Sequence, residues 1–306
     1  MGKNLKQEDL CLLLDLARQA ALSAGKIILK GFGAHGELHH KDSPGGSLAS
    51  QVVTQVDLES QKAIFQVLGP TLARFDLAWL GEESPDSLDR LSKDYFWSVD
   101  PLDGTLSFVE GKAGFSVSIA LVAKDGIPWI GVVFDPTEQV LYHAIRGLGA
   151  YRNGVLWKPK PLSRHLTLAF DRSFLESASL APTLAYWRGV ALNFGLEGVV
   201  LLESGGAVCI ACQVLEHAPA LYYKLPREVD RGGSVWDYAA TACLYGEVGG
   251  VATDFCGGPM ELNRPSSTYM NHKGILFASD AFWATQVRQF QLDFASSKKS
   301  SKDSNA

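Results

Sequence analysis

The stretch Val99-Asp100-Pro101-Leu102-Asp103-Gly104-Thr105 decides how the rest of the chain is read. It closes a short apolar run, Phe96-Trp97-Ser98-Val99, of the kind that forms a buried strand, and it does so with two acids, a proline and a glycine. Pro101 fixes φ and removes a backbone donor, and Gly104 permits close backbone approach, so the two aspartates can face one point from a tight turn. Taken alone, Asp-Pro and Asp-Gly are commonplace turn pairs, and a purely structural turn stays open.

Two further acidic signals flank this stretch. Upstream, Ala78-Trp79-Leu80 is a short apolar run ending at Gly81, which places Glu82 and Glu83 just past a strand; downstream, Ser234-x-x-Asp237 opens a helix predicted over Ser234 to Glu247. Separately, they read equally well as a solvated strand end and a capping box. Jointly the bland readings fail, because three independent acidic signals would each have to be accidental. Carboxylates gathered at one place repel one another and raise each other's pKa unless a cation neutralises them. Mg²⁺ suits the task, since it takes oxygen ligands, keeps some water and is commonly bound through a few carboxylates together with substrate phosphate.

Around these signals the periodicity predicts an amphipathic helix from Glu8 to about Lys30, carried by Leu10, Leu13, Leu14, Ala17, Ala21, Ala24 and Ile28. A second helix is predicted from Asp57 to about Leu68, stopping at Gly69-Pro70. Phe115 to Ala123 and Trp129 to Phe134 read as paired strands around Lys124-Asp125-Gly126. Beyond about Pro161, apolar runs at Gly198 to Leu202 and Val208 to Val214 alternate with helical segments, which predicts a second α/β half. The expected organisation is residues 1–160 as an α+β half carrying most of the acids, 161–294 as an α/β half carrying the last, and 295–306 as a disordered tail.

With 306 residues, 46% of them hydrophobic and 20% charged, the chain is long enough for a sizeable core and excludes collagen, coiled coil and wholesale disorder. A balance of 28 Lys+Arg against 33 Asp+Glu gives a net charge of -5, which argues against a nucleic-acid polymer as partner. No apolar run approaches the ~20 residues of a membrane span, so no membrane partner is expected and a cytoplasmic location is the default. The 5 cysteines fit reduced core thiols better than a disulfide framework.

Three motifs mislead. Gly31, Gly33 and Gly36 match a dinucleotide-binding pattern but follow a helix rather than a strand. His35, His39 and His40 lack a fixed geometry and a fourth ligand, in a segment from Gly31 to Ser50 that reads as a loop or ragged strand pair. Cys209 and Cys212 form a C-x-x-C with no second pair at zinc-ribbon spacing, and read as core thiols.

Taken together, Gly81-Glu82-Glu83-Ser84, Asp100-Pro101-Leu102-Asp103-Gly104-Thr105 and Trp236-Asp237-Tyr238-Ala239-Ala240 resemble the inositol monophosphatase superfamily of Mg²⁺-dependent, lithium-sensitive phosphatases, which includes the 3'(2'),5'-bisphosphate nucleotidases. The likeness spans most of the chain, and Val53-Thr54 with Asp57 looks like the superfamily's upstream V-T-x-x-D. It implies a layered αβαβα sandwich, α+β in its first half and α/β in its second, with the site in the cleft between them. Glu82, Asp100 and the Leu102 carbonyl would hold a first metal, Asp100, Asp103 and Asp237 a second, and Asp57 with Glu82 a third, weaker one through water. Glu82 and Thr105 would orient the attacking water, with Asp57 in support and no phosphoenzyme; the amides of Gly104 and Thr105 would cradle phosphate. Ser204, Gly205 and Asp230 would lie on the substrate side, with Glu228 an equal candidate to Asp230. The ions would be two or three Mg²⁺, with Mn²⁺ as substitute, and such proteins are often homodimers.

The chain departs from the inositol phosphatases at Ser107, where they usually carry Asn, and at Ser204-Gly205-Gly206-Ala207, which stands for a G-S-x-A expected before the last strand. Leu221-Tyr222-Tyr223-Lys224-Leu225-Pro226 and the Gly114-Phe115 spacing look like the bisphosphate nucleotidase branch, whereas the short interval from Glu82 to Asp100 fits the compact inositol phosphatases. The expected activity is hydrolysis of a small phosphate ester, 3'-phosphoadenosine 5'-phosphate or inositol monophosphate; the alternative is a non-catalytic member that binds a ligand or partner.

Overall fold

Strand β4 (Tyr95–Asp103), which ends in the acidic turn, lies next to the edge of a seven-stranded sheet, in the order β3 (Ala78–Gly81), β4, β5 (Ser116–Ala123), β6 (Pro128–Asp135), β7 (Val140–Ile145), β8 (Ala150–Arg152) and β9 (Val155–Leu156). Only β3 and β4 run parallel; the other neighbours are antiparallel. All eight residues of β5 are buried, because both faces of this sheet are covered. Its faces alternate as a strand must: Val117, Ile119 and Leu121 pack toward α1 (Gln7–Gly31) and α2 (Gln55–Phe75), and Ala120 and Val122 toward α6 (Ala207–Glu216) and α7 (Val235–Val248). The computed structural model describes residues 5–32, 38–40, 52–160, 163–202, 205–230 and 232–291.

Helix α1 buries Leu10, Leu13, Ala17, Ala21, Ala24 and Ile28, the stripe its spacing predicts. Helix α2 runs on to Phe75, past the predicted stop, with Pro70 inside it. Proline removes one intrahelical bond, but the last turn is held from outside: the Trp97 indole donates to Thr71 Oγ1 at 2.9 Å, the Thr71 hydroxyl donates to the Leu68 carbonyl, and Phe75 is buried.

A second sheet has the order β11 (Val199–Leu201), β10 (Leu166–Ala169), β12 (Ala220–Lys224), β14 (Ile275–Ala278) and β13 (Val251–Thr253), parallel through the first three and antiparallel at β14. Its outer face packs on α5 (Leu180–Asn193) and the helix over 281–291 through Trp187, Trp283, Val287 and Phe290. The order of layers is therefore α1 and α2, first sheet, α6 and α7, second sheet, α5 with 281–291: the expected αβαβα arrangement. One core cluster joins the two sheets through the middle helices, so α6 and α7 are set by both at once.

The apolar run Val208 to Val214, predicted as one of the runs that alternate with helical segments, is itself the middle of helix α6. Val208, Cys209, Ile210, Ala211, Cys212, Val214 and Leu215 are all buried, and a helix enclosed on every side shows no polar face from which to read a period. It follows that Ser204-Gly205-Gly206-Ala207 precedes a helix, not the last strand. Cys209, Cys212 and Cys243 are buried thiols as expected, but Cys11 and Cys256 are exposed. Strand β1 (Leu38–His40) pairs antiparallel with β2 (Val52–Thr54); His35, the rest of that segment, the whole 295–306 tail and Ser204 lie outside the described residues. No helix among the described residues is long and apolar enough to cross a membrane.

Within α5, Gly189 carries no positive φ, and a Cβ there would meet nothing within 4 Å. Gly189→Ala is expected to stabilise the fold by about 0.5–1 kcal/mol through the unfolded chain's lost freedom, read as a rise in the denaturation midpoint at unchanged slope.

Candidate metal centre

In a regular strand Asp100 and Asp103, three positions apart, would point to opposite faces. The ladder between β4 and β5 shifts register between those two residues, and this bulge turns both carboxylates toward α6 and α7 while Leu102 packs into the core on the α1 side. Gly104 follows at φ 86, and α3 (Thr105–Val109) starts there, the Thr105 hydroxyl donating to the Leu102 carbonyl at 3.1 Å.

Asp237 reaches the same place from the other half of the chain. Ser118 sits opposite Asp100 on β5, and its hydroxyl donates to the Trp236 carbonyl at 2.8 Å, which pins the first turn of α7 against the Asp100 ladder position. At the third position of α7, Asp237 accepts the Ser234 amide through Oδ2 and so completes the capping box. One carboxylate oxygen from each of Asp100, Asp103 and Asp237 lies within 4.8 Å of the others, the two on β4 buried and Asp237 partly so.

Each of these acids is already spoken for in part. The Leu102 amide donates to Asp100 Oδ1 at 2.9 Å. Asp103 takes two amides at the start of α6, Ala207 N to Oδ1 at 3.1 Å and Val208 N to Oδ2 at 2.9 Å. The helix N-terminus favours a negative charge there, and Asp103 thereby fastens α6 to the acidic turn.

Burial first, then the neighbouring charges of Glu82, Asp103 and Asp237, hold the Asp100 carboxyl well above the usual carboxylate range. Asp103 is pushed up to about 7 by burial and by Asp237, against the pull of its two amides and of Lys224. Asp237 is raised as well, by burial, with the Ser234 amide and Lys224 opposing. The folded state thus retains protons that the unfolded chain, at an ordinary value of 3.8, has released. Stability contributed by the cluster is present at low pH and lost as pH rises from about 4 through about 7. In EDTA the melting temperature should fall over that window, and Asp103→Asn should flatten the fall. A divalent cation should oppose it increasingly as the carboxylates ionise, so the Mg²⁺-induced gain in melting temperature should grow with pH.

Glu82 stands outside the trio but near enough for its charge to act on Asp100, and its amide donates to the Val99 carbonyl at 3.1 Å. Asp57, in the first turn of α2, is 2% exposed. Gln61, one turn further along the same helix face, accepts the Glu83 amide at 3.0 Å, which brings the Asp57 face of α2 to the end of β3. Gly205 abuts the Gly114 carbonyl, to which the Gly206 amide donates at 2.8 Å. Asp230 is not brought into the acidic cluster; it lies on an exposed segment and is held by Arg264 at 2.9 Å. Glu228 is exposed on the same segment.

Sequence reasoning named Lys224 only within the branch-like stretch Leu221 to Pro226 and gave it no role at the site; it is the last residue of β12, and its ammonium lies 3.4 Å from Asp171 Oδ2 and acts on both Asp103 and Asp237. A lysine closing the apolar run Leu221-Tyr222-Tyr223 was the only signal. Ser118 and the two α6 amides were also missed, the first because it is an ordinary serine in a buried strand.

Asp100 and Asp103 are buried and Asp237 partly so; burial raises all three carboxyls, neighbouring acids raise Asp100 and Asp103 further, and in the middle of the αβαβα sandwich they form a cluster able to bind a hard cation. The inositol monophosphatase family model matches residues 9–291, and the chain belongs to that family, whose members are phosphatases. It is 31% identical over 252 residues to the Nus factor SuhB of Pasteurella multocida, covering 80% of this chain and 86% of that one. It is 29% identical over 289 residues to the inositol-1-monophosphatase of Synechocystis sp., covering 90% and 91% respectively. The crystal structure of the extragenic suppressor protein suhB from Bartonella henselae superposes with a TM-score of 0.66 at 24% identity, over 91% of this chain and 97% of that one, a likeness of fold.

Proposed function

We propose that the protein is a Mg²⁺-dependent phosphomonoesterase that hydrolyses a small phosphate ester, with Mn²⁺ as an acceptable substitute. The observation that carries this reading is the approach of the Asp100, Asp103 and Asp237 oxygens to within 4.8 Å of one another in a largely buried place. An all-carboxylate donor set suits a small hard ion, and its raised pKa values are relieved by one. Asp100, Asp103 and Asp237 would hold one ion, Glu82, Asp100 and the Leu102 carbonyl a second, and Asp57 with Glu82 a weaker third. Bound there, such ions supply Lewis acidity toward water and toward the phosphoryl oxygens.

The chain's own groups do the positioning. Glu82 and Thr105 would orient the attacking water, the Thr105 hydroxyl already being aligned by its bond to the Leu102 carbonyl at 3.1 Å. The amides of Gly104 and Thr105, at the turn where Gly104 takes φ 86, would cradle phosphate oxygens. Ser204 and Gly205 would lie on the substrate side, and Asp230 or Glu228 would contact the substrate from the segment between β12 and α7. Lithium inhibition and a homodimeric assembly belong to the same proposal. The non-catalytic alternative is not favoured, since none of the acids of the motif is replaced.

The test is phosphate release from inositol 1-phosphate and from 3'-phosphoadenosine 5'-phosphate, with Mg²⁺ and with EDTA. Turnover of either, abolished by EDTA and restored by Mg²⁺, is the expected result, and the preferred ester assigns the branch. Failure on both and on a wide panel of phosphate esters, with Mg²⁺ saturating, would overturn the reading.

A further inference from the structure

Lys224 is largely buried, with its side chain 17% exposed, and it ends β12 on the side of the second sheet where β10 also ends. Asp171, two residues past β10 and just ahead of α4 (Arg172–Leu175), meets it there at 3.4 Å. Its ammonium also lies 5.8 Å from the centre of the Tyr222 ring and 5.7 Å from that of Tyr238. Tyr238 is fully buried and directly follows Asp237 on α7, so the cation is held beside the residue next to the acidic cluster.

A buried lysine is unfavourable unless its charge answers other charges. Asp171 answers part of it, but Asp171 is itself 30% exposed and its charge is shared with water. What remains lies beside Tyr238, the neighbour of Asp237, in a cluster whose three carboxylates carry more negative charge than one lysine cancels. We propose that Lys224 is a built-in counter-cation of this cluster, a positioning residue that sets how much positive charge divalent ions must supply and how tightly they bind. Burial works against the charged form of Lys224, yet Asp171, Tyr222 and Tyr238 outweigh it and hold its pKa well above the usual lysine value, so the charge is permanent at working pH.

The inference rests on the reading of the cluster as a divalent-cation site, and it makes a prediction of opposite signs. Lys224→Met removes a positive charge near the ions and should tighten Mg²⁺ binding on the order of tenfold, while Asp171→Asn leaves Lys224 uncompensated and should weaken binding by a similar factor. Lys224→Arg should stay near the wild-type value. The measurement is Mg²⁺ binding by titration calorimetry, with thermal unfolding in EDTA alongside; Lys224→Met should melt lowest without metal and gain most from Mg²⁺. Equal Mg²⁺ affinity across wild type, Lys224→Met and Asp171→Asn, or a change of the same sign in both, overturns the Lys224 role and leaves the cation site standing. A wild-type protein that binds no Mg²⁺ overturns the cation-site reading, and the Lys224 role falls with it. The Arg and Asn variants keep the test decisive should the Met variant fail to fold.

Discussion

Asp100→Asn is expected to lower Mg²⁺-dependent phosphate release by on the order of 10³-fold while making the metal-free protein more stable. The two effects share one cause. Asp100 is 2% exposed and lies among Glu82, Asp103 and Asp237, so its charge is repelled by three neighbours in a place that solvates it poorly. Asparagine keeps an oxygen in the position that accepts the Leu102 amide at 2.9 Å, preserves the bulge, and removes the repulsion. It also removes a ligand common to two of the three proposed ions, and a loss of about 4 kcal/mol of transition-state stabilisation corresponds to that factor in rate. Phosphate-release assays and thermal unfolding in EDTA, run on the same preparation, check both halves. A variant that kept its activity would remove Asp100 from the reaction, and one less stable than wild type in EDTA would show that the cluster is not under electrostatic strain.

Gly206→Ala should damage the protein from the other direction. A Cβ at Gly206 would stand 2.0 Å from Asp103 Oδ2 and 2.4 Å from its Cγ, closer than real Cβ contacts come. Neither partner can yield freely. Asp103 is fastened to the Ala207 and Val208 amides, and Gly206 itself donates to the Gly114 carbonyl at 2.8 Å. Relief requires α6 to move off the acidic turn, so a loss of about 3 kcal/mol of stability is expected together with weakened Mg²⁺ binding. Gly205→Ala is the comparison: its Cβ would meet the Gly114 carbonyl at 3.2 Å, a contact that small shifts can absorb, and the loss should be clearly smaller. Denaturant titrations of the two variants decide the matter, and equal losses would contradict the junction described around Asp103.

Where the sequence could be read, it was read from periodicity and from turn chemistry. The stripe of α1 and the β5–β6 hairpin around Lys124-Asp125-Gly126 follow from those rules, because one face of α1 meets water and the hairpin turn has residues suited to it. Helix α6 escaped because every side of it is covered, and the last turn of α2 because tertiary contacts from Trp97 and Phe75 override the local preference of Gly69-Pro70 to stop a helix. At the site, the acids Asp100, Asp103 and Asp237 were legible from residue type and motif order, but the means of bringing them together was not. A bulge has no side-chain signature, the Ser118–Trp236 bond joins residues more than a hundred positions apart, and the docking of Asp103 on α6 could not be foreseen while α6 itself was unread. Lys224 was hidden for a related reason: its meaning lies in what the second sheet sets beside it.

The most direct measurement is a crystal of the protein grown or soaked with Mn²⁺, with data collected where manganese scatters anomalously. The account predicts a peak bounded by carboxylate oxygens of Asp100, Asp103 and Asp237, replaced in Mg²⁺ crystals by an octahedral ion with ligand distances of about 2.1 Å. No peak among these three residues at saturating Mn²⁺, in crystals whose β4 and α7 are otherwise arranged as here, would contradict it.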